Sequence, residues 1–173
     1  MIIRRGYTKR FTLETGINYT KRNFGLTITD TTFTGNTGFT IVGYEIPLQL
    51  LVFQKFSEYI FMNAGFGFSV DMYASDVQTR DTYFFHKSYR HGVFQLAALA
   101  NLGVEYRTKK NGYFYIGSSY HLPSDYIYGT VIRYEPLQQI GRMKLSGNYL
   151  TLDFRYYFHE EPLKPRKKKK KEQ

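Results

Sequence analysis

Apolar and polar residues alternate with period two along most of this chain. The alternation falls into six runs: about Phe11–Lys21, Phe39–Phe53, Tyr59–Tyr73, Phe94–Thr108, Tyr113–Leu122 and Tyr149–Phe158. In the first, Phe11, Leu13, Ile17 and Tyr19 share a face opposite Glu14, Gly16, Asn18 and Thr20. In the second, Tyr44, Ile46, Leu48 and Leu50 oppose Gly43, Glu45, Pro47 and Gln49. The third sets Met62, Ala64, Phe66 and Phe68 against Asn63, Gly65, Gly67, Ser69 and Asp71. In the fourth, Leu96, Leu102, Val104 and Tyr106 oppose Gln95, Asn101, Gly103, Glu105 and Arg107. The last sets Leu150, Leu152, Phe154, Tyr156 and Phe158 against Tyr149, Thr151, Asp153, Arg155 and Tyr157. Successive side chains of a strand point to opposite faces, so this period predicts strands rather than helices.

The gaps between runs are of two kinds. Gln54–Glu58 and Lys109–Gly112 are short; Arg22–Gly38, Ala74–Val93 and Pro123–Asn148 are long. Transmembrane β-barrels segregate connections in this way, with short turns at one rim and long loops at the other. The polar faces carry Gly, Asn, Gln, Ser and single charges. A soluble lipocalin-like barrel would instead turn a Lys- and Glu-rich face to water. The runs also reach the ~9–11 residues that a tilted strand needs to cross a bilayer. The expected fold is therefore all-β: an antiparallel up-and-down transmembrane β-barrel over residues 10–158. A lead-in over 1–9 precedes it and a Lys-rich tail over 159–173 follows. Asn111-Gly112 marks a tight hairpin, since both residues tolerate positive φ. The parity of the gaps puts the long loops outside the cell, and Phe158 with the tail on the periplasmic side. Six strands fall short of the eight of small outer-membrane barrels. Either Phe24–Phe33 and Tyr126–Tyr134 supply two more, or an N-terminal hairpin precedes Phe11; the second is preferred.

Composition changes this picture little. Aromatics are 18% of the chain, with 17 Tyr, 15 Phe and no Trp, which suits strands and interfacial girdles. A mean hydropathy of −0.43 is compatible with a barrel, in which only alternate residues meet lipid. No apolar run approaches the ~20 residues of a spanning helix. The absence of cysteine excludes disulfides, Cys-based zinc sites and thiol nucleophiles. The opening Met1-Ile2-Ile3-Arg4-Arg5-Gly6 has no apolar signal region, which an outer-membrane protein requires, so an upstream signal peptide is expected. Of the net charge of +10, the segment 159–173 carries seven basic against three acidic residues, with an unbroken run Lys167, Lys168, Lys169, Lys170, Lys171. Such a segment cannot build a core and is expected to be a disordered tail, able to touch anionic lipid or an acidic partner. Cations gathered in tail and loops, with aromatics on apolar faces, argue against nucleic-acid binding.

Candidate chemistry is sparse. Glu14, Glu45, Glu105 and Asp153 share the polar faces with Arg107 and Arg155, and are expected to form a structural charge network that fills a narrow lumen. Ser119, His121 and Asp125 come nearest to a catalytic constellation, but their spacing matches no triad order and an ordinary polar rim is expected. His86, His91 and His159 are scattered, so no metal site is expected, and no phosphate-binding motif is present. No cofactor and no enzymatic activity are expected.

Tyr44-Glu45-Ile46-Pro47-Leu48, followed by a strand, a tight turn and the Gly-rich Gly65-Phe66-Gly67, resembles the outer-membrane β-barrel family common in Bacteroidota. That family includes PorT-type, OmpA-like eight-stranded members. Glu14-Thr15-Gly16-Ile17-Asn18-Tyr19 resembles the family's third strand, which implies two strands upstream. Phe154, Tyr156 and Phe158 resemble its closing aromatic strand. The resemblance covers about residues 10–158. It implies a small plugged barrel, acting structurally or as a subunit of a larger envelope assembly. Its partners would be outer-membrane lipid and other envelope proteins, reached through the long loops or the tail. PorT-type members are associated with type IX secretion, an association these residues do not carry over. The other expectations considered are a soluble ligand-binding barrel and an outer-membrane lipid hydrolase using His121.

Overall fold

A computed structural model describes residues 2–6, 8, 10–29, 34–80, 82–108 and 112–158, without the side chain of Ile28. The expected tail, including His159 and Lys167–Lys171, lies outside the described residues. Every regular element among those residues is a β-strand: β1 (Ile2–Gly6), β2 (Phe11–Gly16), β3 (Asn18–Thr29), β4 (Thr34–Lys55), β5 (Ile60–Tyr73), β6 (Val77–Arg80), β7 (Phe84–Arg90), β8 (Phe94–Arg107), β9 (Tyr113–Pro123), β10 (Tyr128–Tyr134), β11 (Gln139–Leu145) and β12 (Tyr149–Tyr157).

The larger sheet follows the order β1-β2-β4-β5-β8-β9-β12, with β3 also on β4, and every pairing is antiparallel. β2 and β3 are one arm of a long hairpin. The register that pairs Phe11 with Val52 and Thr15 with Leu48 resumes without offset at Asn18 and Glu45, broken only at Ile17. The sheet curls into a half-barrel, because side chains of strands far apart in this order meet on its inner side. Arg155 of β12 donates to Glu14 of β2 at 2.6 Å, and Tyr149 of β12 donates to Glu45 of β4 at 2.6 Å. The edge strands β1 and β12 run in the same direction and are not hydrogen-bonded to each other. Both short connections are tight. Phe56 N–H donates to Ile60 O at 3.0 Å, and Thr108 N–H donates to Gly112 O at 3.1 Å. Gly112 has φ 85°, which glycine adopts without the Cβ penalty, while residues 109–111 lie outside the described set.

The two faces of the curled sheet are inverted relative to a water-soluble core. Leu152 is 78% exposed and Phe154 75%, whereas Asp71 and Glu105 are both 0%. In the larger sheet the period-two faces read from the sequence hold along β4, β5, β8 and β12, polar side chains inward and most apolar ones outward, with Phe39, Ile41, Leu51, Phe53 and Tyr73 also turned inward.

The smaller sheet, in the order β11-β10-β7-β6, is made from segments expected to be long loops. Its buried face, with Phe84, His86, Ser88, Tyr128, Thr130 and Ile132, packs at the long-loop end of the larger sheet. There the His86 ring stacks 4.1 Å from Phe39, and Tyr128 meets Tyr73 edge-on at 5.7 Å. Phe39, Ile41, Tyr73, Ile127 and Tyr128 form the apolar core at this junction. Two expectations are corrected here. Tyr128–Tyr134 is a strand of this second sheet, not a wall strand, and Phe24–Thr29 only lengthens β3 along β4, so neither adds to the wall. Ile2–Gly6, placed in the lead-in, is a wall strand pairing Arg4 with Glu14.

Candidate functional site

The inward side chains gather into two charged layers separated by a neutral one. At the short-turn end, β1, β2, β8 and β12 contribute Arg4, Glu14, Glu105, Arg107, Asp153 and Arg155. Glu14 accepts from Arg155 at 2.6 Å, from Arg4 at 2.5 Å and from the Tyr157 hydroxyl at 3.2 Å. Glu105 accepts from Arg4 and, at 2.8 Å, from Arg107; Asp153 accepts from Arg155 at 3.2 Å and from the Ser119 hydroxyl. Aromatic rings lie beside the guanidiniums: the Arg4 Cζ is 3.8 Å from the Tyr157 centroid, that of Arg107 4.1 Å from Phe61 and that of Arg155 5.1 Å from Tyr115. Space for the Tyr115 ring comes from Gly103 and Gly117, where a Cβ would overlap it. Gly103 and Gly117 on the polar faces therefore serve the packing of this layer.

In the middle, Asn101 donates to Gln49 at 3.0 Å, and a Cβ on Gly65 would overlap Asn101 and Leu51. At the long-loop end, Glu45 (β4), Asp71 (β5) and His121 (β9) come together, all buried. The β4–β5 register sets Glu45 directly opposite Asp71. Arg22 donates to Glu45 at 3.0 Å, and Tyr149 reaches both its oxygens at 2.6 and 2.7 Å. His121 stacks on Tyr149, with ring centroids 4.5 Å apart. Its Nε2 lies 2.9 Å from Asp71 Oδ2, 3.7 Å from Glu45 Oε1 and 3.3 Å from Ser69 Oγ. The 2.9 Å approach is an ion-pair distance without hydrogen-bond alignment, and neither Asp71 Oδ2 nor His121 Nδ1 has a hydrogen-bond partner.

The six charges named from the sequence thus divide. Glu14, Glu105, Arg107, Asp153 and Arg155 share one network, to which the structure adds Arg4, while Glu45 sits apart with Arg22. The aromatics Phe154, Tyr156 and Phe158 lie along the outer face at an edge, with Tyr156 5.0 Å from Phe158 and 4.9 Å from Phe114. Among the described residues β12 pairs with β9 alone, so there that strand borders a seam rather than closing a ring. Ser119, His121 and Asp125 have different partners. Ser119 turns to Asp153, while Asp125 accepts from Tyr126 N–H at 2.7 Å and lies 3.5 Å from His91. Ser69 and Asp71 both approach the same nitrogen of His121. A catalytic relay needs its carboxylate on the opposite ring nitrogen, so the trio does not form one. His86 donates to or accepts from Ser88 at 2.8 Å, and burial pushes its imidazole below its ordinary pKa.

Sequence reasoning placed Asp71 on the polar face without a partner and left Arg22 in a loop. The ladder that pairs Glu45 with Asp71 is centred on Glu58, the last residue of the short Gln54–Glu58 connection; counting from that connection's middle, Phe56, would have set Glu45 opposite Gly67. The fold is thus all-β and antiparallel, a curled half-barrel with a charged interior. No family model, curated protein or solved structure matches the chain.

Proposed function

We propose that this chain forms the wall of a small outer-membrane β-barrel with a plugged lumen, not an enzyme. It acts structurally or as a membrane-embedded subunit of a larger envelope assembly, as the resemblance to the Bacteroidota outer-membrane family implies. The observation that carries this is the inverted sheet. A band of apolar side chains such as Leu102, Leu150, Leu152 and Phe154 stands outward, around buried acids and guanidiniums. Monomers in water rarely expose apolar patches beyond a few hundred Å², whereas a lipid-facing wall requires one. The salt-bridged, aromatic-packed interior leaves the lumen to side chains, as expected at about eight strands.

A closed antiparallel barrel needs an even strand count. The wall has seven positions with β2 and β3 counted as one, and its two edges run in parallel. One further strand, antiparallel to both β1 and β12, would complete eight. The smaller sheet and the long loops then face the exterior, with the tail in the periplasm. From there, loops or tail reach envelope partners.

The test is expression with a secretion signal followed by fractionation. Recovery in the outer membrane, release only by detergent and heat-modifiable gel mobility support the proposal; free solubility without detergent overturns it. Leu152→Arg, near the middle of β12, should lower the stability of the folded form in micelles by about 2–4 kcal/mol.

A further inference from the structure

We propose that Glu45, Asp71 and His121 form a binding site for one divalent cation of the zinc class, at the long-loop end of the lumen. Three observations carry it. First, three ligand atoms of suitable type are already assembled: His121 Nε2 and one oxygen from each acid lie within 4.8 Å of one another. Two of the spacings, 2.9 and 3.7 Å, bracket the roughly 3.3–3.6 Å edge of a tetrahedron around zinc bound at ~2.0–2.2 Å.

Second, with His121 neutral, the form in which an imidazole ligates a metal, the charges do not balance. Two buried carboxylates face one guanidinium, that of Arg22, and Tyr149 and Tyr73 bring no formal charge. One more positive charge is needed, because an unpaired buried carboxylate is costly. Third, Asp71 Oδ2 is fully buried, aimed at the centre of the cluster and accepts no hydrogen bond. Ser69 donates to the other oxygen, Oδ1, at 2.6 Å and so fixes the carboxylate in this orientation. Tyr149 donates to both oxygens of Glu45 and Arg22 to its Oε1, and such outer partners fix the orientation of a ligand carboxylate. One imidazole with two carboxylates suits zinc and its neighbours better than calcium or magnesium, which take more oxygens.

The site stands independently of the membrane reading, and its assay runs equally in detergent or in buffer. Chelator-treated full-length protein is titrated calorimetrically with zinc chloride, and separately with cobalt(II) while visible absorption is recorded. One equivalent should bind, and cobalt should show the intense bands of four-coordination. His121→Ala and Asp71→Asn, checked for folding by gel mobility, should each weaken zinc binding more than about tenfold. Absence of binding by the wild type overturns the site, as does equal affinity in both variants, which would place the metal elsewhere. Should both variants fail to fold, the wild-type cobalt spectrum decides: weak six-coordinate bands contradict the site.

Discussion

At the short-turn end of the lumen three guanidiniums meet three carboxylates; at the long-loop end one guanidinium faces two. Both layers sit inside the same curled sheet and both are buried, yet only the first matches its carboxylates with guanidiniums alone; the second leaves one acid to His121. Glu14 and Glu105 each accept from two guanidiniums, and aromatic rings cover those guanidiniums. In the second layer the neutral donors Tyr149 and Ser69 supply hydrogen bonds but no charge, and His121 stands where a cation is wanted. Buried ion pairs offset their desolvation only when geometry and hydrogen bonding are complete. The first layer thus reads as a plug and the second as a receptacle.

The sharpest way to break this contrast is to remove one acid from each end. Glu105→Ala leaves half-buried Arg107 without its carboxylate and Arg4 with Glu14 alone, and should cost about 3 kcal/mol in denaturant unfolding from micelles. Asp71→Asn removes surplus negative charge while keeping an acceptor for Ser69, and without added metal should change stability by less than about 1 kcal/mol. Equal losses at both ends would erase the distinction. Packing offers a second comparison. Gly103→Ala pushes into the Tyr115 ring and should cost about 1–3 kcal/mol, largely recovered in the double variant with Tyr115→Ala. Tyr149→Phe withdraws the hydroxyl from Glu45 and should cost about 1.5–3 kcal/mol, more in metal-free protein than with zinc present.

The smallest effect lies outside the wall. His86 has its folded pKa lowered by burial, so the unfolded chain binds more protons once the pH drops below about 6.5. Stability from this group is therefore full above that pH and lost as the pH falls toward the folded value. His86→Phe should flatten the acid limb of the unfolding curve, leaving the lumen variants unaffected.

The faces of the wall were legible because alternation is a local property: Ile46 and Glu45 declare their sides without knowledge of any neighbour. Register was only partly legible. The short connection at Gln54–Glu58 makes the strands of Glu45 and Asp71 neighbours, but the ladder is centred at its end, on Glu58, and nothing local brings Arg4 to Glu105, since that contact depends on how the whole sheet curls. The smaller sheet was invisible because its faces mix polarity. His86 and Ser88 are buried beside Phe84, while Phe85 and Tyr89 share the other side with Lys87, so no apolar stripe marks either. The strand Ile2–Gly6 is too short, and Arg4-Arg5 too charged, to register as a run.

The chain has no cysteine, so single cysteines along β5 report its orientation without background. Met62, Asn63, Phe66, Phe68 and Ser69, each replaced by Cys and labelled with an environment-sensitive fluorophore, are examined in vesicles containing brominated lipid. Strong quenching at 62, 66 and 68 with little at 63 and 69 places the apolar face in lipid and the charged layers in the lumen. A flat profile, or quenching at 63 and 69 instead, contradicts the inverted barrel.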